Sequence, residues 1–590
     1  MKNKKSLIPL LIVLLTGCSS PNVEPSISPS KTPTPIPSEP MTPTPTPSPT
    51  QGGSSPVIDD DLSIQDMNIL HAWNWKINDV KSRLYSIKEA GYGAIQLSPL
   101  QVKVDKNNYA NQSTSSQWWK LYQPLAFKIS EGEESFLGTK DDLKSLCKEA
   151  DKYDLKIVVD IVSNHLAGTN NNYNDQVYTK YPLHSYGQKT NDNSIQAVVQ
   201  GHIGLPDLDT SKNQVQQDVL SLLKNYIDCG VDGFRFDAAK HIETPDDGDY
   251  ASSYWPTILN GATSYAKSKN MNVPYYYGEI LNTCGKGRSF SSYTKYMSIV
   301  DNNQATDTVN AVYNKSISNI KSTYNTKEDP SKLVLWAESH DTYANDSGYE
   351  STRSYDTETI NKAYIIQASR KDAATLYLAR PTSMNVTICS IDDNSGWKNQ
   401  EIRMINKFHS YFLKEKENIN NNNGCFVNVR GNKGAVIVDV ADKGSASIDV
   451  KGLSNGTYID LISSKEVEVK NEKATITFSK GASILVDKNS PLVEEDDNYS
   501  SSILIKGYNS SLSYLAWTWS NNNQGKWVSF TEDKDAIGIT LNNNDSYIIV
   551  EFPSGTTTGN ANWDNKIRQS IDYQYSGSQV IYEYSQISWK

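Results

Sequence analysis

Acidic, basic and imidazole side chains lie where several short apolar segments of the sequence end. In chain order they are Asp160, Asn164, His165, Arg235, Asp237, Glu279, His340 and Asp341. A carboxyl group can transfer a proton or attack an electron-poor carbon, and an arginine beside a carboxylate keeps that carboxylate charged. Clustered like charges lower the stability of a fold, so such a cluster indicates a functional site. The pattern therefore predicts a catalytic site whose chemistry depends on carboxylates.

These residues can act together only if the fold brings the ends of their segments to one place. Between Asp66 and about Lys416, strand-like runs alternate with amphipathic helical patterns at 77–90, 139–153 and 214–228. The predicted strands are 68–75, 94–98, 156–162, 231–236, 275–280, 297–300, 333–337 and 374–378. Eight such units predict an α/β fold, a (β/α)8 TIM barrel at 66–416 with a small B-domain insertion at 166–206 after strand 3. The alternative is a doubly wound open sheet, which is disfavoured because no Gly-rich phosphate loop follows the first strand.

The first 65 residues have the composition of an export signal followed by a linker. Lysines near the start precede an apolar run at 7–15 that is too short to span a bilayer. The sequence Leu-Thr-Gly-Cys at 15–18 resembles the bacterial lipobox, which implies lipidation of Cys18 and a signal peptide at 1–18. Residues 19–65 are rich in Pro, Ser and Thr, which favours an extended linker. We therefore expect an extracellular, cell-surface lipoprotein anchored to the bacterial membrane.

Charge and aromatic content restrict the class of partner. The net charge is −10, which argues against nucleic acid because phosphate neutralisation needs clustered Lys and Arg. Trp and Tyr number 12 and 35 against 11 Phe, and aromatic rings with a polar tip suit half-hydrated surfaces. We expect a monomer that binds an uncharged partner.

Four segments of the barrel region carry a family pattern. They read DIVSNH at 160–165, GFRFDAAKH at 233–241, GEI at 278–280 and ESHD at 338–341. In order and spacing they resemble the four signature segments of the α-amylase family of glycoside hydrolases. HAWNW at 71–75, WWKLYQP at 118–124 and WAESHDTYAND at 336–346 are similar to segments of the secreted α-amylases of Bacillus subtilis type. The resemblance runs from about Ile69 to near Asp487.

The resemblance implies endo-hydrolysis of α-1,4-glucosidic bonds in starch with retention of anomeric configuration. Asp237 would be the nucleophile, Glu279 the general acid and then base, and Asp341 a transition-state stabiliser that binds sugar hydroxyls. Arg235, two residues before Asp237 on one strand, points to the same side and would hold it ionised. Two carboxyl groups suffice for this chemistry, since an acetal needs protonation of its leaving oxygen and stabilisation of an oxocarbenium-like centre.

The resemblance also implies substrate-binding and calcium-binding residues. Starch, amylopectin and malto-oligosaccharides would contact Tyr122, Gln123, Trp119, His165, Lys240 and His340. A structural Ca²⁺ would join the insertion to the barrel through the side chains of Asn164 and Asp207 and the backbone carbonyls of Val198 and His241, because Ca²⁺ prefers oxygen ligands.

Two β-rich units follow the barrel. Alternating apolar residues predict an antiparallel β C domain at 417–487, an acidic linker at 488–502 and an extra C-terminal β-sandwich-like module at 503–590. The module contains Trp517, Trp519, Trp527 and Trp563. Trp517 and Trp519 would face the same side of a strand, either as core or as a platform for sugars. We predict a starch-binding module.

Three other functions remain as alternatives. A transglycosylase or an α-1,6-acting member of the same family would share the catalytic carboxylates, since the subsites decide the outcome. A non-catalytic starch-capture surface protein is disfavoured because all three carboxylates and Arg235 are present. A metal-dependent isomerase would need paired metal ligands in the cleft, which the sequence does not indicate.

Overall fold

The structure is a computed structural model of the 590-residue chain. It describes residues 63–103, 112–131, 136–168, 181–345, 351–389, 396–493, 501–520, 523–533, 536–542, 544–575 and 580–590. The predicted signal peptide with Cys18, the linker before Ser63 and the central part of the linker at 488–502 lie outside these residues. No helix within the described residues is long and apolar enough to cross a membrane.

Eight parallel strands close into a barrel. They are β1 Asn68–Ala72, β2 Ala94–Leu97, β3 Lys156–Val162, β4 Gly233–Asp237, β5 Tyr275–Gly278, β6 Ser298–Val300, β7 Leu333–Trp336 and β8 Ala374–Leu378. Each strand pairs in parallel with the next in sequence, and β8 pairs with β1 to close the circle. This closed circle confirms the predicted (β/α)8 barrel. The strands are rich in apolar residues because both of their faces are buried.

Helices surround the strands. They are α1 Ile77–Lys81, α2 Leu84–Glu89, α3 Thr114–Gln117, α4 Lys140–Ala150, α5 Ile195–Val199, α6 Asn213–Ile227, α7 Tyr254–Ser268, α8 Ser291–Thr294, α9 Asn302–Tyr313, α10 His340–Ala344, α11 Thr357–Ala368 and α12 Gln400–Phe412. The single helix predicted at 77–90 is wrong in one respect. It is interrupted at Ser82–Arg83, where the Ser82 hydroxyl donates to the Asp79 carbonyl at 2.8 Å and Arg83 leaves helical geometry. A serine that bonds its own backbone competes with the helix in this way.

The insertion after β3 has little regular structure in the part that the structure describes. In the part the structure describes it contains α5 and isolated bridges that pair Leu183 with Leu208 and Lys189 with His202. Residues 169–180 of the predicted B domain lie outside the description. The insertion is held by contacts to the barrel, which are described below.

An antiparallel C domain packs on the last barrel helix. Its strands are β9 Glu417–Ile419, β10 Cys425–Arg430, β11 Gly434–Asp439, β12 Ser445–Asp449, β13 Gly456–Asp460, β14 Lys465–Val469, β15 Lys473–Thr477 and β16 Ala482–Asp487. Six form a sheet in the order β9-β10-β11-β16-β13-β14, and β12 pairs with β15. Gly434 permits the close approach, since a Cβ there would lie 2.6 Å from the Phe412 ring.

The last described strands form two sheets around one core. They are β17 Ile503–Lys506, β18 Ser513–Ser520, β19 Asn523–Ser529, β20 Thr531–Asp533, β21 Ala536–Ile539, β22 Ser546–Phe552, β23 Arg568–Gln569, β24 Tyr573–Gln574 and β25 Val580–Glu583. One sheet has the order β20-β21-β17-β25 and the other β19-β18-β22-β23, with β24 also paired to β22. Ile503, Ala516, Ile537 and Ile549 bury against one another between them. The predicted sandwich-like module is confirmed as a fold.

Buried histidine makes the stability of this fold depend on pH. His409 of α12 is fully buried, its Nδ1 donates to the Ala368 carbonyl at 2.8 Å, and burial lowers its pKa from 6.5 to about 4. The unfolded chain takes up this proton near pH 6.5, so the contribution is complete above that pH and is lost as pH falls toward 4. We expect this residue alone to lower the free energy of unfolding by about 2–3 kcal/mol when the pH falls from 7 to 4.5.

Urea unfolding of wild type and His409→Asn at both pH values checks this prediction. Asparagine keeps a donor for the Ala368 carbonyl but does not titrate, so the variant should lose less stability on acidification than wild type. Equal losses in the two proteins would contradict the assignment. Lys470→Ala, at an exposed position of the C domain, serves as the control.

Candidate active site

One buried guanidinium contacts three carboxylates at the carboxyl end of the barrel. Nη1 of Arg235 lies 2.8 and 2.9 Å from the two oxygens of Asp160 and 2.9 Å from Oδ1 of Asp237. Nη2 lies 2.9 Å from Oε2 of Glu279. Arg235 thereby joins β3, β4 and the segment after β5.

The strand register produces this cluster. Asp160 of β3 is directly opposite Arg235 of β4, and Val162 is opposite Asp237. Arg235 and Asp237 share one face of β4 because side chains alternate along a strand. After β4 the chain turns through Ala238 in the left-handed conformation, φ 48°, and the Ala238 amide donates to Oε2 of Glu279 at 2.9 Å.

The cluster holds more negative than positive groups in a buried setting. Burial raises the pKa of Asp160 and of Asp237 above the usual value, although the Arg235 charge acts in the opposite direction. Burial, with Glu279 and Asp237 as neighbours, also raises the pKa of Asp341. Asp341 is the most open of the group, with 40% of its side chain exposed. The site therefore retains a proton at a higher pH than isolated carboxyl groups would.

Neutral imidazoles line the same end of the barrel. The Tyr122 ring stacks on His340 with a centroid distance of 4.8 Å and an angle of 7°, and its hydroxyl donates to Asp160 at 3.1 Å. His165 contacts the Tyr122 carbonyl through Nε2 at 3.0 Å. Burial lowers the pKa of His165 to about 4 and that of His71 to about 3. A neutral imidazole can both donate to and accept from a hydroxyl group.

Trp118 and Trp119 have different surroundings, and the predicted substrate contact of Trp119 stays a prediction. Trp118, rather than its neighbour Trp119, packs against His340 with ring centroids 5.9 Å apart, whereas the Trp119 ring lies 5.7 Å from the Lys120 ammonium. Gln123 follows the short 3-10 turn that ends at Tyr122.

His71 and Asp160 lie in the site, although the sequence predicted no role for either and only Asp160 was recognised as a polar residue at a strand end. His71 meets His340 edge-to-face at 5.4 Å. Both lie toward the carboxyl end of a barrel strand, and that position is the signal that could have identified them.

Lys240 lies beside Glu279 and is paired with the insertion. Its amide donates to the Glu279 carbonyl at 3.0 Å, and its ammonium lies 2.8 Å from Oδ1 of Asp192. Neither residue of this ion pair is close to the other in sequence, so the contact was not predicted.

The four residues of the predicted calcium site come together as two pairs. Nδ2 of Asn164 lies 3.2 Å from Oδ1 of Asp207, and Nδ1 of His241 donates to the Val198 carbonyl at 2.9 Å. The donor set suits Ca²⁺. If the oxygen and nitrogen of the Asn164 amide are exchanged, its oxygen faces the Asp207 carboxylate, and a cation between the two buried oxygens would remove their repulsion. The Val198 carbonyl also accepts from the Thr190 hydroxyl at 3.4 Å. The His241 ring is used in this contact, and its backbone carbonyl stays a predicted ligand.

His184 of the insertion links Asp207 of the first pair to Glu243, which follows β4. Its Nδ1 lies 2.7 Å from Asp207 and its Nε2 2.8 Å from Glu243. These hydrogen bonds hold the pKa of His184 at about 10 despite the opposing effect of burial. His184, Asp209 and Glu243 also bring their polar atoms within 4.8 Å of one another.

The four module tryptophans lie together on the outer face of one sheet. Trp517 of β18 is opposite Trp527 of β19, and the two rings are 5.0 Å apart. Trp563 packs on both, 4.8 Å from Trp527 and 5.7 Å from Trp517, and is 37% exposed. Trp519 packs in the same cluster as Trp517, as predicted from their spacing.

Comparisons with known proteins agree with this site. Residues 186–408 match the model of the α-amylase catalytic domain. An α-amylase of Clostridium acetobutylicum is 34% identical over 409 residues, covering 67% of this chain and 50% of that protein. An α-amylase of Butyrivibrio fibrisolvens is 28% identical over 448 residues, covering 68% of this chain and 45% of that protein. The chain thus spans about half the length of the curated relatives that it matches.

Solved structures resemble the fold. α-Amylase I of Eisenia fetida, solved as a mutant in complex with maltohexaose, gives a TM-score of 0.56 at 17% identity and covers 71% of this chain and 97% of its own. An Anoxybacillus α-amylase gives 0.56 at 17% identity, covering 73% and 100%. With the closed barrel, the carboxylate cluster at its carboxyl end and the catalytic-domain match, the chain belongs to the α-amylase family of glycoside hydrolases.

Proposed function

We propose that this protein cleaves internal α-1,4-glucosidic bonds of starch and related α-glucans with retention of anomeric configuration. The observation that carries the proposal is the pairing of Asp237 and Glu279 on separate nitrogens of one buried guanidinium. The curated relatives named α-amylase and the maltohexaose complex of the Eisenia fetida enzyme support this class of substrate.

The contacts suggest which oxygen of each carboxylate reacts. Arg235 binds Oδ1 of Asp237, so we assign the attack on the anomeric carbon to Oδ2. Arg235 and the Ala238 amide both bind Oε2 of Glu279, so we assign proton transfer to Oε1. As Asp237 forms the bond to carbon, Glu279 protonates the glycosidic oxygen and the C–O bond to the leaving sugar breaks. Glu279 then deprotonates a water molecule that releases the sugar from Asp237.

The other side chains of the site bind and orient the sugar. Asp341, which is open to solvent on one side, accepts hydrogen bonds from ring hydroxyls. His165 and His340 are buried and neutral and supply donors and acceptors around the cleavage subsite, next to Tyr122.

Digestion of amylose by wild type and Glu279→Gln tests the proposal. Glutamine keeps the volume but cannot transfer the proton, so turnover should fall by about 10³-fold or more. Wild type should shorten chains by random internal cuts and release α-anomers, measured by size-exclusion chromatography and NMR. Release of only maltose from chain ends, cyclic products, transfer products or α-1,6 cleavage would each contradict the assignment. Full activity in Glu149→Gln, which alters a surface ion pair on α4, controls for the substitution itself.

We also propose a structural Ca²⁺ held by Asn164, Asp207 and the Val198 and His241 carbonyls. Bound there, the ion would supply positive charge between the insertion and the barrel and take no part in bond cleavage.

Thermal unfolding tests the calcium proposal without an activity assay. Ca²⁺ added to EDTA-treated protein at a hundredfold excess over its Kd should stabilise it by about 3 kcal/mol, seen as a saturable rise in Tm. Asp207→Asn should abolish the rise, whereas Asp246→Asn, on a surface ion pair, should keep it. A Ca²⁺ response that is absent in wild type, or unchanged in Asp207→Asn, would overturn the site.

We further propose that the C-terminal module binds starch through Trp563 and its neighbours. Trp563 is both exposed and packed against Trp527, which suits stacking on a sugar ring.

Trp563→Ala should weaken adsorption to granular starch about tenfold, since loss of a stacking contact is of that order. Turnover of soluble maltoheptaose should not change, because the barrel is untouched. Ile571→Ala, an equally exposed apolar residue of the module, is the matched control. Unaltered adsorption of Trp563→Ala would reject the role.

The leader supports a location outside the cytoplasm. We propose export and lipidation at Cys18, followed by a proline-rich linker, so that the barrel would act on polymer outside the cell. The motif at 15–18 carries this proposal.

A further inference from the structure

We propose that Asp192 of the insertion is a positioning residue that sets recognition of the leaving-group sugar by holding Lys240. This inference rests on the proposed hydrolase function and goes beyond it, because it gives a specificity role to a segment outside the barrel.

The ion pair is close and shielded. Nζ of Lys240 lies 2.8 Å from Oδ1 and 3.1 Å from Oδ2 of Asp192. The Lys240 side chain is 7% exposed, whereas Asp192 is 33% exposed. A shielded ammonium needs a paired charge, so the direction of the lysine side chain depends on this aspartate.

The backbone of Lys240 is fixed independently. Its amide donates to the Glu279 carbonyl at 3.0 Å. Its carbonyl accepts from Arg288 Nη1 at 2.5 Å and from the Tyr293 hydroxyl at 3.0 Å. With the main chain held beside the proposed acid, the ammonium position is decided mainly by Asp192.

Asp192 is itself tied to the loop that follows Glu279. Its carboxylate accepts from the Thr283 hydroxyl at 3.1 Å, and its carbonyl accepts from the Lys286 amide at 3.0 Å. Gly285, at φ 99°, lets α5 pack closely, since a Cβ there would lie 2.5 Å from Cγ2 of Val198. Asp192 thus connects the loops after β4 and β5 on either side of Glu279.

If Lys240 contacts only the departing sugar, its effect can be measured separately from that of the rest of the substrate. The Lys240 amide is hydrogen-bonded to the backbone carbonyl of Glu279, the proposed acid, and the family resemblance predicts that the Lys240 ammonium donates to hydroxyls of the departing sugar. A substrate whose leaving group is not a sugar has no such hydroxyls, so loss of Asp192 should not affect its cleavage.

The test compares two substrates in the full-length protein. For maltoheptaose, Asp192→Asn should raise KM about tenfold with less than a twofold change in kcat, because a charge-assisted hydrogen bond to a hydroxyl is misplaced. For an aryl α-maltotrioside that releases a nitrophenol, kcat/KM should be unchanged. Lys240→Met should raise KM for maltoheptaose by itself, and Asp192→Asn should add little to that change in the Lys240→Met background. Glu149→Gln is the matched surface control.

Each other outcome has one meaning. Equal losses on both substrates would show that Asp192 only supports the fold, and unchanged kinetics on maltoheptaose would show that it has no role; either result overturns the inference. Wild type that cleaves neither substrate would instead reject the proposed function.

Discussion

The arrangement of the site depends on the charge of Arg235. Its guanidinium is buried and lies within hydrogen-bonding distance of Asp160, Asp237 and Glu279. Without it, carboxylates from adjacent strands would repel one another in a medium that screens charge poorly. Removing one partner from such a cluster leaves uncompensated buried charge. The parallel register of β3 and β4 and the left-handed turn at Ala238 place the carboxylates around it.

The surrounding polar groups follow from the same constraint. Burial lowers the pKa of His71 and His340, and the nearby charge of Arg235 lowers it further. These imidazoles are therefore neutral and serve as hydrogen-bonding groups. The carboxylates respond in the opposite direction, because burial raises the pKa of Asp160 and Asp341. Protons that the cluster retains are therefore shared among neighbouring carboxylates around Arg235.

Local sequence predicted the barrel well because its strands are largely apolar and its site residues fall at or near strand ends. The break at Ser82 was missed because it arises from one side-chain hydrogen bond within an amphipathic pattern. The sequence could not predict which of Trp118 and Trp119 packs against His340, since adjacent residues on a short 3-10 turn show no periodicity. The Asp192–Lys240 and His184–Glu243 contacts join residues 48 and 59 positions apart, and only the folded insertion brings them together.

The insertion has few regular hydrogen bonds in its described part, so its position must come from contacts made with the barrel. Several of these contacts are polar: His184 lies between Asp207 and Glu243, and Asp192 lies against Lys240 and Thr283. Buried or half-buried ionic contacts depend strongly on geometry and tolerate loss of a partner poorly. A segment held in this way has one preferred position on the barrel rim. That position places a carboxylate beside the lysine next to the proposed acid, so the interactions that fix the insertion also shape the cleft.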